Sequence, residues 1–140
     1  VGINLVGGLV HDNREWQDRH QADLRWIDEQ YYLNEGNFDV MVILAHADPD
    51  IQANDNFFET FYERVEFNYD LQVLFVHRNL GTESWGLEPQ FNSIQNLMVV
   101  VVEGSVWPPM MIQMDTKAGT VDIDQGTWYQ DYISSSGNNA

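Results

Sequence analysis

Two of the four histidines in this 140-residue chain, His46 and His77, each close an apolar run: Asp39 to His46 (DVMVILAH) and Leu71 to His77 (LQVLFVH). Short apolar runs rich in β-branched residues read as strands buried on both faces. Between them, Phe57, Phe58, Phe61, Tyr62 and Val65 fall at helical spacing behind a cap at Asn54 or Asp55. Strand, helix and strand in that order make a parallel pair, so both carboxyl ends lie on one rim of the sheet, ~4.8 Å apart if the strands are neighbours. Open α/β sheets hold their ligands on that rim. Imidazoles placed there suit a shared divalent metal ion, with Asp48 or Asp50 close enough to add oxygen. The plainer alternative is that both histidines hydrogen-bond to loop backbone.

The elements that must position these residues follow from the pattern on either side. Val1 to Val6 reads as a short buried strand closed by Gly7 and Gly8. His11-Asp12-Asn13 supplies a helix N-cap, and Trp16, His20, Leu24, Ile27 and Tyr31 form one apolar stripe along a helix from Arg14 to Leu33. Asn96 to Glu103 is a third apolar run, broken by Trp107 and Pro109. Met110 to Asp115 and Thr120 to Asp124 form a hairpin around Lys117 and Gly119, and Trp128 to Ile133 reads as an edge strand. The expected fold is α/β, a mixed β-sheet with two covering helices and antiparallel C-terminal strands. Residues 1–133 make one domain, or the C-terminal part of a larger one, and 134–140 a polar, flexible tail.

In this order of elements the chain resembles the C-terminal half of a calcineurin-like metallophosphoesterase. Val1-Gly-Ile-Asn-Leu5 stands where that family has the strand after its Asn-His metal motif. Val42-Ile-Leu-Ala-His46 matches the strand ending in a metal-binding histidine, and Val76-His77-Arg78-Asn79 aligns with the family's Gly-His-x-His. The resemblance implies half of an αββα sandwich, with Met98 onward in the second sheet. It also implies a centre of two divalent ions (Mn, Fe or Zn) that orients a phosphate and activates water. On that alignment His46 and His77 are ligands of one ion. Asn79 takes the place of the histidine that holds the other, and Val76 replaces the motif's glycine. The family's Asp-x-His, Gly-Asp and Gly-Asn-His segments belong, in element order, before Val1. The apolar start without Met fits an excised or processed piece.

Six Lys and Arg against 22 Asp and Glu give a formal net charge of -16. Such a chain repels nucleic acid and anionic membrane surfaces, which require Lys and Arg, and attracts cations. No run reaches the ~20 apolar residues of a membrane span. The acidic shell favours a saline or extracellular setting. With no cysteine there are no disulfides and no thiolate sites.

Other residues have smaller claims. His11 with Asp12 is read as a helix cap rather than a catalytic pair, and His20 as a buried, satisfied histidine. Asp122 and Asp124 share a strand face that would suit Ca²⁺, though a solvated face is favoured. Trp16 and Trp26 are read as packing. Trp85, Trp107 and Trp128, on loops and an edge, are the candidate partner surface. Ser84 has no nucleophile elbow around it, and the glycines near it lack the lysine of a phosphate loop. The expected function is therefore a non-catalytic interaction or assembly protein on a degenerate metallophosphoesterase-like scaffold, partnered by another subunit or by its own copies. The alternative is the C-terminal portion of a two-metal phosphoester hydrolase.

Overall fold

The computed structural model describes residues 1–5, 10–78, 86–88, 91, 93–102, 109–118, 120–124 and 126–136. Helix α1 spans Asn13–Leu33, strand β1 Val40–Leu44, helix α2 Asp55–Phe67 and strand β2 Gln72–Arg78. There follow β3 (Gly86–Leu87), β4 (Leu97–Val102), β5 (Met111–Asp115), β6 (Thr120–Asp124) and helix α3 (Thr127–Ser136). Each of the three apolar runs becomes a strand within a residue or two of its expected limits.

The main sheet has the order β1-β2-β4-β3. β1, β2 and β4 are mutually parallel, and β3 pairs antiparallel with β4. The N-terminal segment extends this sheet beyond β1. Ile3 N–H donates to the Leu44 carbonyl at 3.1 Å and Leu44 N–H to that of Val1 at 2.9 Å. The expected antiparallel pairing of the C-terminal strands holds for β5 with β6, but not for Met98 onward, since β4 joins the first sheet parallel to β2. The physical reason is reach. The connection from β2 to β4, residues 79–96, is long enough to return to the amino end of the sheet before β4 starts, as a parallel crossover requires.

Register sorts the strands into two faces. Met41, Val73 and Leu97 stand side by side, as do Ile43, Phe75 and Val99, and these face the helices. On that side Phe57, Phe61 and Phe75 are all fully buried, with Phe58 and Phe61 rings at 5.4 and 5.5 Å from Phe75. α1 contributes Leu24, Ile27 and Tyr31, the stripe read from its spacing. Trp26, one residue and 100° round from Ile27, is off that stripe and 46% exposed, so it is not a packing residue. The other face, Leu74, Val76 and Val100, is covered by Ile112, Met114, Val121 and Ile123 of the β5–β6 hairpin. The layers are therefore helices, sheet and hairpin.

Polar side chains fasten the layers where the backbone turns. Asp12 caps α1 by accepting from Arg14 and Glu15 N–H at 2.8 and 3.1 Å. Asp28 of α1 accepts from the Tyr69 hydroxyl at 2.6 Å and from Arg64 of α2 at 2.8 Å. The Asn96 amide donates to the carbonyls of Val65, Tyr69 and Leu71 at 2.7, 3.0 and 3.2 Å, so two hydrogens serve three acceptors.

The expected edge strand at Trp128 to Ile133 is helix α3 instead. Gly126, at φ +136°, turns the chain so that the N–H groups of Gly126, Thr127 and Trp128 all point at the Asp124 carboxylate, 2.6 to 3.0 Å away. That cap outweighs the β-propensity of the aromatic residues behind it.

Truncating Phe61 or Phe75 to Ala should cost ~3–5 kcal/mol of stability, because the core cannot collapse onto a void between a helix and a sheet. Phe67→Ala, at a side chain 73% exposed, should stay within ~0.5 kcal/mol. Urea unfolding midpoints of the three variants measure both.

Candidate functional site

The carboxyl rim of the parallel strands gathers Asp48 and Asp50 from the loop after β1, His77 from β2, Glu88 after β3, and Tyr62 from α2. His77 is fully buried, on the helix-facing side with Phe75, whose ring centroid is 6.1 Å away. Its Nε2 lies 2.7 Å from Glu88 Oε2. A carboxylate only accepts, so Nε2 carries a hydrogen and donates, while Nδ1 has no partner among the described residues. The Tyr62 hydroxyl and Asn54 Oδ1 are likewise buried without partners among the described residues, while the Asn54 amide donates to the Asp48 carbonyl at 3.2 Å. Asp50 N–H donates to Asp48 Oδ1 at 2.9 Å, which fixes the loop.

The electrostatics of the rim are those of crowded carboxylates. The Asp50 carboxyl is pushed above its ordinary range, first by partial burial and then by repulsion from Asp48 and Glu88, with His77 pulling the other way. The Tyr62 phenol is pushed up by burial and then by Glu88, Asp50 and Asp48.

The two histidines that share this rim in sequence are not brought together. Val42 and Leu44 alternate to the face away from the helices and are 40% and 55% exposed; His46, next in that alternation, is exposed. Its N–H, like that of Ala47, donates to the Leu5 carbonyl at 3.0 Å, so here the chain binds the N-terminal segment. His77 occupies the opposite parity and is fully buried beside Phe75 and Glu88. Asn79, Trp85 and Trp107 lie outside the described residues. Trp128 is half-buried in α3, its indole N–H donating to the Pro109 carbonyl at 2.9 Å. Asp124 is committed to capping α3, and those N–H bonds hold its carboxyl below the usual range although desolvation acts against them; Asp122, its strand neighbour, is exposed.

Among the described residues the donor set does not fit the two divalent ions that the resemblance implies. Among the described residues no three of His, Asp and Glu stand in an arrangement able to hold one ion. One feature does suit a ligand: His77 is fixed through one nitrogen by a carboxylate, and its other nitrogen is unbonded among the described residues.

A second buried polar group escaped the reading of the sequence. Asp23 is 8% exposed, its Oδ1 accepting from Asn4 N–H at 3.1 Å and its Oδ2 without a partner among the described residues. It lies on the α1 stripe one turn from His20, which is 2% exposed and bonded through Nδ1 to Asn56 Oδ1 at 2.7 Å. The signal was present in the spacing, since Asp23 follows His20 by three and precedes Ile27 by four. Burial raises the Asp23 carboxyl; the Asn4 N–H bond, His20 and Arg19 oppose the rise.

Comparison with known proteins brings no match: no family model, curated protein or solved structure is significantly similar to this chain.

Two outcomes follow from this geometry. A double-mutant cycle of His77→Ala and Glu88→Ala should give a coupling of ~1–3 kcal/mol, as for a buried bond to a carboxylate, measured by chemical denaturation. For Asp23, a folded-state value above the ordinary 3.8 means that the carboxyl's penalty is absent below that pH and full above the raised value. Asp23→Asn should therefore raise Tm at pH 7 by a few degrees and by less at pH 4, in thermal melts followed by circular dichroism.

Proposed function

We propose that this chain is a non-catalytic interaction or assembly domain, built on a scaffold resembling a degenerate metallophosphoesterase. The observation that carries this reading is the His77–Glu88 pair. The imidazole that the resemblance assigns to a metal is wholly buried and tied at 2.7 Å to a carboxylate of the same chain, while His46 stands exposed on the other side of β1. A histidine spent on a carboxylate of its own chain contributes to the fold rather than to a metal centre. A mixed sheet with helices packed on one face supports the α/β scaffold of this reading.

The alternative, the C-terminal portion of a two-metal phosphoester hydrolase, draws on one observation: the unpartnered Nδ1 of His77 beside Asp48 and Asp50. Titration calorimetry with Mn²⁺ and Zn²⁺, paired with hydrolysis of p-nitrophenyl phosphate, separates the two. The assembly reading expects weak cation binding unchanged by His46→Ala and no metal-dependent turnover. Stoichiometric binding lost in both His46→Ala and His77→Ala, with turnover that follows it, would reverse the assignment.

A further inference from the structure

At the edge of the sheet opposite the histidine rim, a cleft of about 710 Å³ opens between the amino ends of the parallel strands and the end of α2. Its apolar surfaces include Phe38, before β1, Phe67, the last residue of α2, and Leu71, before β2; Asp39, Glu66 and Asp70 stand beside them. Phe67 is 73% exposed, a large aromatic ring left in water at a helix end. Among the described residues no Lys, Arg or His lines the cleft. The one basic residue in the last turn of α2, Arg64, is already held by Asp28 at 2.8 Å and by the Leu24 carbonyl at 3.0 Å. The carboxyl end of a helix adds its own negative potential.

Charge decides what can occupy such a cleft. A second copy of this chain would bring carboxylates against carboxylates at a net charge of -16, so self-docking here is opposed. Nucleic acid and anionic lipid are opposed for the same reason. A guanidinium satisfies both features of the surface, stacking on Phe67 or Phe38 while its N–H groups bond to the neighbouring carboxylates. We infer that this cleft docks an arginine-bearing segment of a different protein. The inference rests on the assembly reading above and adds the surface and the chemistry of the partner.

The test is fluorescence anisotropy of a labelled peptide of alternating arginine and leucine, titrated with the full chain at ~150 mM salt, where distant charges are largely screened. Three proteins are compared with the parent: the triple variant Asp39→Asn, Glu66→Gln, Asp70→Asn; the single variant Phe67→Ala; and a control triple, Asp18→Asn, Glu59→Gln, Asp122→Asn, which removes the same charge from exposed positions elsewhere. The cleft triple should weaken binding at least tenfold and Phe67→Ala severalfold, with the control triple within twofold. Equal losses in both triples, or no binding by the parent, would overturn the inference. Metal-dependent turnover in the preceding experiment would instead remove the assembly reading and leave these ratios as they are.

Discussion

Phe75 stands in the middle of the central strand of the main sheet, with β1 on one side and β4 on the other, and it meets two rings of α2 at 5.4 and 5.5 Å. Its place sets the parity of every residue in β2. Val73 and His77 must join it toward the helices, and Leu74 and Val76 must face the hairpin. Parallel register then carries that parity to the neighbours, so that one aromatic side chain defines both faces of the sheet. A slip of one residue would turn Phe75 and His77 toward the hairpin and expose the α2 rings, which is why the register is strongly specified.

The same constraint explains the candidate site. His77 is buried because it shares a face with Phe75, and a buried imidazole needs a partner, which Glu88 supplies across the sheet edge. His46 follows the exposed Val42 and Leu44 at the same spacing and is itself exposed. The rim and the cleft on the opposite edge therefore differ in kind. The rim is built round a buried histidine–carboxylate pair, whereas the carboxylates at the cleft stand beside exposed aromatic surface.

Much of the architecture was legible in the residues themselves. Apolar runs gave β1, β2 and β4, the four-three-four spacing gave the buried stripe of α1, and the turn at Lys117 gave the hairpin. The pairing of the histidines was not legible from the ends of two runs, because register sets Leu44 level with Val76, which leaves His77 level with Ala45 and one step out of phase with His46. Helix α3 was missed because its residues favour strands one at a time, while the decisive signal, Asp124 and Gly126 ahead of Thr127, is a single capping geometry. Trp26 was misread because a large apolar residue one step from a stripe looks like part of it. The cleft could not be seen at all: Phe38, Phe67 and Asp70 come together only when two strands start side by side.

Asn96 has a wider consequence for how the molecule moves. Its amide binds the end of α2, the turn after it and the approach to β2, while its own backbone leads into β4. Four pieces of chain separated by up to 31 residues thus meet at one uncharged side chain. Opening any one of them breaks bonds held by the others, so α2, β2 and β4 are expected to exchange their amide hydrogens as a single cooperative unit. The hairpin, held to that unit among the described residues by aliphatic packing, is expected to open at a lower free energy.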